Sequence, residues 1–170
     1  MLFDLNIGAE FSTCRKYRFS LWRIWDETKP LVMFIGLNPS TANENENDPT
    51  IRSVGRISKH NGYGGFYMMN CFPIVSPDPT ILKDFWQSSN PYTQYQDMVN
   101  RSKLKDVAKV CKDVVFAWGS FSVVKEVNRD KEFAQMFPNA KALQINKNGS
   151  PKHPLYCKSE TIFIDWNTAK

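Results

Sequence analysis

The chain has 170 residues, of which 42% are hydrophobic and 23% are charged, and its formal net charge is +5. This length fits one domain, because domains run to roughly 100–200 residues, and the composition excludes a disordered tail, a collagen and a coiled coil. No apolar run reaches the roughly 18–20 residues of a membrane helix, and the first residues lack the layout of a secretory signal. We therefore expect one cytoplasmic, monomeric domain with no membrane partner. It comprises an N-terminal strand or extension over 1–30, a core over 31–156 and a tail over 157–170.

The cysteines and histidines are spread along the chain without metal-ligand spacing. Cys14, Cys71, Cys111 and Cys157 form no CxxC pair, which argues against a zinc finger or a clustered thiolate site. We expect free thiols in a reducing compartment, no metal and no organic cofactor. The surplus of positive charge favours an anionic partner, of which nucleic acid is the commonest, although many enzymes carry a similar surplus.

Apolar runs that fit strands alternate with segments that fit helices. The aromatic-rich alternation within 17–25 predicts a half-buried strand, and the continuous run over 31–35 predicts a central strand covered on both faces. Asp48 followed by Pro49 is typical of a helix N-cap and its first helical residue. Such alternation predicts βαβ units and a largely parallel sheet. The other predicted elements are strands at 66–69, 113–118 and 142–145, helices at 49–60, 92–111 and 121–136, and an edge strand or end piece at 161–166.

Glycines and polar residues follow the predicted parallel strands, at the edge where such sheets bind ligands. In the segment 36–41, a glycine allows close backbone approach and Asn38 offers a donor and an acceptor, although an Asx turn is the simpler explanation locally. Asn70 ends an apolar run and needs hydrogen-bond partners, which a planar base or neighbouring backbone can supply. Trp118-Gly119-Ser120 ends the third strand. His153, between two prolines, is either an ordinary surface histidine or a donor to a developing anion.

An acidic stretch lies between the first of these motifs and the first predicted helix. Glu44, Glu46 and Asp48 alternate with asparagines, but the segment lacks the glycine and the distal glutamate of a calcium loop. A mobile acidic loop is the better interpretation. Such a loop repels phosphates, and it counts modestly against nucleic-acid binding nearby.

Taken together and in this order, four segments resemble the uracil-DNA glycosylase superfamily. Residues 36–39 match its first motif, G-x-[DN]-P, and residues 66–70 match an apolar strand that ends in a base-reading asparagine. Residues 118–120 match its W-G-S motif, and residues 153–155 look like its histidine loop, H-P-S-P-L, shortened by two residues. The chain as a whole is also similar to a bacterial and phage family of unknown function, DUF1643, through the phrases GLNPSTA, DPT and SPKHPLY.

The glycosylase resemblance implies a three-layer α/β/α sandwich with a short, mostly parallel four-stranded sheet. It also implies hydrolysis of the N-glycosidic bond of a uracil-like or modified base. In that scheme Asn38 holds the attacking water and His153 donates to the departing base, while Gly36, Asn70 and Ser120 contact a base flipped out of a strand. An asparagine at position 38 is typical of the slower, mismatch-specific branch, because the most active members carry an aspartate there.

The resemblance leaves the remaining substrate contacts open. Its expected partner is nucleic acid, with DNA preferred, or a nucleotide, and Leu155 or Tyr156 is a candidate wedge into the DNA stack. The candidates for stacking on the base are Tyr63, Phe72 and Tyr156. The candidates for phosphate contacts are Arg52, Arg56, Lys147, Lys152 and Lys158. Two alternatives are a non-catalytic binder of a nucleotide or modified base, and a protein-interaction module that has lost the pocket.

Overall fold

Residues 6–167 are described by a computed structural model of the chain. Within this range the chain forms a seven-stranded sheet in the order β1-β2-β4-β3-β5-β6-β7. The strands are β1 Asn6–Phe11, β2 Arg18–Ile24, β3 Leu31–Gly36, β4 Gly65–Asn70, β5 Asp113–Phe116, β6 Lys141–Ala142 and β7 Ile164–Asp165.

The strands predicted at 31–35, 66–69, 113–118 and 142–145 are neighbours at the centre of this sheet. β4, β3, β5 and β6 run parallel in that order, so their carboxyl ends share one edge, and Gly36 pairs directly with Asn70. The prediction of a four-stranded, mostly parallel sheet is wrong, because β1, β2 and β7 add three antiparallel pairings. β2 lies within the strand predicted over 17–25, and β7 lies within the possible edge strand at 161–166, whereas β1 was covered only by the expectation of an N-terminal strand or extension over 1–30.

The helices follow the predictions less closely towards the end of the chain. Asp48 caps the first helix as predicted, since its Oδ1 accepts a hydrogen bond from the Ile51 backbone N–H at 2.9 Å. The single helix predicted over 121–136 is two helices, because Asn128 has a φ of 58°, a left-handed conformation that interrupts an α-helix. The helices are α1 Pro49–His60, α2 Leu82–Gln87, α3 Pro91–Val110, α4 Val123–Glu126 and α5 Arg129–Met136, with short 3-10 helices at Pro79–Ile81 and Pro154–Tyr156.

Alternate residues of β3 face two separate hydrophobic layers, as a strand buried on both faces requires. Val32 and Phe34 pack in the layer that contains α1. Met33 and Ile35 pack in the layer that contains apolar residues of α2, α3, α4 and α5. The sheet therefore lies between α1 on one side and four helices on the other.

A buried charge network fixes the second helical layer against the end of β4. The Arg129 side chain is fully buried and donates to Asp97 Oδ2 at 2.5 Å and to the Cys71 carbonyl at 3.0 Å. Its guanidinium also lies 4.6 Å from the centre of the Trp86 ring. This network holds in place the residue directly after Asn70, where β4 ends.

Candidate functional site

A cavity of about 180 Å³ lies at the carboxyl ends of β3 and β4. It is bounded by the β3–α1 connection, the segment from Ser76 to Pro79 and the loop that carries His153. Asn38, Asn70 and His153 all line it, although the last two are 83 positions apart in the chain. Parallel β3 and β4 bring the two asparagines together, and the loop after β6 brings the histidine. We call this cavity the strand-end pocket.

Asn70 presents an unpaired donor to the strand-end pocket. The residue is 2% exposed, and its Nδ2 has no hydrogen-bond partner among the described residues. Its backbone carbonyl accepts from Asn100 Nδ2 at 3.0 Å, which anchors the end of β4 to α3. Leaving a buried amide donor unpaired costs about 1–3 kcal/mol. The wall of the pocket therefore contains an amide donor whose hydrogen-bonding capacity no described residue uses.

Asn38 is held in one orientation by its own amide nitrogen. Nδ2 donates to the carbonyl oxygens of Pro39, Ile74 and Ser76, at 3.1, 3.2 and 2.9 Å. These bonds tie the β3–α1 connection to the chain that follows β4. They also settle which end of the amide is the acceptor. Oδ1 accepts from none of the described residues, so Asn38 offers the pocket an acceptor and no donor.

His153 offers the pocket a neutral imidazole. Its Nδ1 accepts a hydrogen bond from the Leu155 backbone N–H at 3.2 Å, so in the neutral ring the proton is on Nε2. Burial lowers the pKa of His153 below its ordinary value of 6.5, while Asp48 acts in the opposite direction. At neutral pH the ring is therefore an Nε2–H donor without a full positive charge.

The glycine of the Trp118-Gly119-Ser120 motif positions the His153 loop. Gly119 has a φ of +80° and donates through its backbone N–H to the Pro151 carbonyl at 2.9 Å. A Cβ at this position would lie 3.4 Å from the Cβ of His153. The glycine thus allows the turn after β5 to pack closely against the histidine.

Two charged residues of the strand-end pocket were not predicted from the sequence. Arg18 of β2 is 3% exposed, donates to the Ala42 carbonyl at 3.0 Å and leaves Nε unpaired among the described residues. Burial lowers the pKa of Arg18 to about 10, so it stays a cation at neutral pH. Asp48 uses one carboxylate oxygen to cap α1 and lines the pocket. Arg18 begins a strand that the sequence predicts to be only half-buried, so nothing in the sequence marks it as a pocket residue.

The other residues expected at the base lie elsewhere, apart from Gly36. A Cβ on Gly36 would approach Asn70 Oδ1 to 2.9 Å, so this glycine touches the pocket wall. Ser120 is exposed and does not line the pocket. Tyr63 stacks on Phe163 and donates to Asp113 in the α1-side core, and Phe72 is fully buried in the other core.

Of the stacking candidates, Tyr156 lies nearest the pocket. Its side chain is 72% exposed, and its ring centre is 6.0 Å from that of His153. Leu155 beside it is also exposed. Both belong to the histidine loop, but neither lines the strand-end pocket.

The basic residues expected at phosphates divide between two regions. Arg52 and Arg56 lie on the exposed face of α1 and line a different cavity. Lys147 and Lys158 are exposed, and Lys152 Nζ donates to Gln144 Oε1 at 3.0 Å. None of these five side chains lines the strand-end pocket.

Two features are absent from residues 6–167. This part of the chain contains no group of three or more His, Cys, Asp or Glu side chains arranged to hold a metal ion. It also contains no helix long and apolar enough to cross a membrane.

Comparison with known proteins places the chain in one family. No curated protein and no solved structure matches it. A family model described as "Protein of unknown function (DUF1643)" matches residues 18–155. That range begins at Arg18, ends two residues after His153 and includes every residue that lines the strand-end pocket. The chain belongs to the DUF1643 family.

Proposed function

We propose that the protein is a base glycosylase that hydrolyses the N-glycosidic bond of a uracil-like or modified base in a nucleic acid. One observation carries the proposal: Asn38, Asn70 and His153 surround a single cavity with an acceptor, a buried donor and a neutral imidazole donor. The resemblance of segments 36–39, 66–70, 118–120 and 153–155 to uracil-DNA glycosylases supports the same reading.

The size of the strand-end pocket favours a base over a whole nucleotide. Its volume of about 180 Å³ is below the roughly 300–1,000 Å³ typical of pockets for drug-sized ligands. A single heterocycle suits such a space, with its sugar and phosphates outside. Enzymes that act on a base in a strand extrude it into a pocket of this kind.

The unpaired polar groups favour a base whose edge carries oxygen acceptors. Asn70 Nδ2 and Arg18 Nε are both buried donors without partners among the described residues. An oxo group satisfies such a donor, whereas an amino group leaves it unpaired, at a cost of about 1–3 kcal/mol for each lost bond. We therefore expect uracil-type bases to bind more tightly than cytosine-type bases.

The leaving base gains negative charge as the glycosidic bond breaks, and His153 is placed to stabilise it. An Nε2–H donor aimed at developing charge acts mainly in the transition state, and one such donor is worth roughly 3–4 kcal/mol. A neutral ring suits the task, since it already donates at neutral pH and needs no prior protonation.

Water for the hydrolysis has two acceptors in the pocket. Oδ1 of Asn38 is fixed in orientation by the three bonds to Nδ2. The second carboxylate oxygen of Asp48 accepts from none of the described residues, and it supplies the negative charge that the first motif lacks. We assign both residues to holding the attacking water, with Asp48 as the stronger acceptor.

The second candidate function is a non-catalytic nucleotide or modified-base binder with the same pocket. The bonds of Asn38 to three backbone carbonyls favour it, because they give this residue a purely structural explanation. A binder needs the donors of Asn70 and Arg18 but has no use for a water-holding carboxylate.

Base release from labelled oligonucleotides separates the two candidates. The panel contains uracil, cytosine and modified bases, and the variants are Asn70→Ala, His153→Ala and Asp48→Asn. Asn38→Ala is unsuitable, because it removes three loop bonds. Asp48→Asn keeps the helix cap, since asparagine caps as well as aspartate. The control is His60→Ala, an exposed histidine at the end of α1.

A glycosylase predicts release from at least one oxo base by the wild type and by His60→Ala. His153→Ala and Asp48→Asn should lower the rate with little change in base affinity, whereas Asn70→Ala should weaken affinity or relax selectivity. If no base is released while the Asn70 and His153 variants lose nucleobase binding to similar extents, the protein is a binder and the catalytic proposal is wrong.

A further inference from the structure

A second cavity of about 330 Å³ lies on the other side of the first turn of α1. Arg52, Arg56 and Lys59 line it from one face of the helix, at spacings of four and three residues. Ile51 lines both this cavity and the strand-end pocket, so the two are adjacent. We call the second cavity the α1 groove.

The α1 groove is positively charged and carries no acidic side chain in its lining. Arg52 donates to the Asn47 carbonyl at 2.7 Å and Arg56 to Ser53 Oγ at 3.3 Å, so neither bond neutralises a charge. Among the described residues, neither of these arginines nor Lys59 forms an ion pair.

Arg23 adds a fourth positive charge at the back of the groove. Its Nη1 donates to the Trp22 carbonyl at 2.8 Å, and its Nη2 donates to the Asn43 carbonyl at 2.6 Å. These neutral acceptors position the guanidinium without cancelling its charge. The groove therefore combines one buried and three exposed cations.

The acidic stretch beside the groove is less repulsive than its sequence indicates. Glu44 pairs with Arg15 through two hydrogen bonds of 2.8 and 3.0 Å. That contact is the main reason that the pKa of Glu44 falls to about 2. Asp48 lines the strand-end pocket instead. Of the three carboxylates, only Glu46 neither forms an ion pair among the described residues nor lines the strand-end pocket, and its Oε2 accepts from Asn43 Nδ2.

The remaining wall of the α1 groove is apolar and aromatic. It consists of Ile24, Trp25 and Phe66. Gly55 of α1 also lines the groove, and a Cβ at this position would lie 3.7 Å from the Phe66 ring. Lys59 Nζ sits 4.9 Å from the centre of the Trp25 ring. Cations that line an aromatic-walled groove are the combination that single-stranded nucleic-acid sites use.

We propose that the α1 groove binds a single-stranded stretch of the polynucleotide next to the base held in the strand-end pocket. Arg52, Arg56 and Lys59 contact consecutive phosphates, and a neighbouring base or sugar packs against Trp25. Arg52 and Lys59 are about 10 Å apart along the helix, at about 1.5 Å per residue, so the three cations form a row along one face of α1. That the ligand is a polynucleotide rests on the proposed function, whereas the location of the binding site rests on the residues that line the α1 groove. An acidic peptide fits the charges but has no use for the aromatic wall.

The test is a fluorescence anisotropy titration with a labelled deoxycytidine oligonucleotide, whose base is not of the uracil type proposed for release. The triple variant Arg52→Ala/Arg56→Ala/Lys59→Ala removes the groove cations. The control Lys83→Ala/Lys105→Ala/Lys131→Ala removes the same charge from exposed lysines of α2, α3 and α5. Each protein is titrated at several salt concentrations, with polyglutamate as a competitor.

We expect the groove variant to bind at least about tenfold more weakly and to lose about two units of the log–log salt slope, since each single-strand phosphate contact contributes about 0.7. The control should lose less than about twofold in affinity. Trp25→Leu should weaken binding about fivefold while leaving the slope unchanged, because base stacking carries no charge. Equal losses in the two triple variants, or polyglutamate competing as well as the oligonucleotide, would overturn the inference. If only the groove variant loses oligonucleotide binding, and the wild type releases no base in the release assay, the inference about the groove stands and only the proposed function is refuted.

Discussion

Gly36 is the position where adding one methyl group should disturb the strand-end pocket most directly. It pairs with Asn70 across β3 and β4, and an added Cβ would lie 2.5 Å from Met68 Cε and 2.9 Å from Asn70 Oδ1. The Met68 methyl group is the end of a flexible side chain and can move. The Asn70 amide is buried and short, so it must turn away from its present position.

For Gly36→Ala we expect the free energy of unfolding to fall by about 2 kcal/mol, in the range of roughly 1–3 kcal/mol for an overpacked core. At this chain length the melting temperature should fall by about 4–8 °C. Displacing Asn70 should also weaken nucleobase binding by about tenfold, the equivalent of one lost hydrogen bond.

Gly55→Ala is the matched control for this substitution. A Cβ at Gly55 would lie 3.7 Å from Phe66, an ordinary contact, and the residue is inside α1. We expect a gain of about 0.5–1 kcal/mol, because alanine favours the helix and restricts the unfolded chain. Urea unfolding and calorimetric titration with uracil measure both effects. A Gly36→Ala protein as stable as the wild type, with unchanged uracil affinity, would refute the assigned position of Asn70.

Three further predictions concern titration and buried charge. Burial lowers the pKa of His153 in the folded protein below 6.5, so as the pH falls the unfolded chain protonates this histidine before the folded protein does. The free energy of unfolding therefore keeps the full contribution of the neutral ring above about pH 6.5 and loses it as the pH falls below that value. Urea unfolding from pH 5 to 8 should thus show that the difference in free energy of unfolding between wild type and His153→Gln becomes smaller at acid pH. A difference that stays constant over this range would contradict the prediction. Hydrogen bonds from Ser12 and, to a lesser extent, Tyr92 lower the pKa of exposed Cys14 to about 7. A disulfide reagent at pH 7 should therefore react rapidly with one thiol, and Cys14→Ser should abolish that rapid reaction. If the rapid reaction persists in this variant, the assignment to Cys14 is wrong. Asp97→Ala should cost about 3–5 kcal/mol in urea unfolding, because it strands the buried Arg129 charge, whereas a loss below about 1 kcal/mol would mean that other carboxylates compensate.

The centre of the fold was predictable because its strands are apolar on both faces. The runs over 31–35 and 66–69 could be read directly as buried parallel strands. β1 was less predictable, because it lies at an edge with mostly partly exposed residues, and β7, inside the possible edge strand at 161–166, pairs over only two residues. The break at Asn128 was not predicted because it depends on the left-handed backbone of one residue, and no glycine or proline within 121–136 marks it in the sequence.

The candidate site was predictable only as far as chain topology determines it. Residues directly after parallel strands must meet at one edge, which is why Asn38 and Asn70 lie together. The contribution of Arg18 depends on the antiparallel pairing of β2 with β4, which no motif signals. Tyr63 and Phe72 were sequence candidates because aromatic residues look alike in a sequence, whether they face a pocket or a core.

A crystal structure of the protein with uracil bound would test the assignment of the strand-end pocket most directly. We expect uracil in this pocket, with a carbonyl oxygen within hydrogen-bond distance of Asn70 Nδ2 and the ring within reach of His153 Nε2. Uracil bound elsewhere, or a strand-end pocket that stays free of the base at saturating concentration, would contradict it.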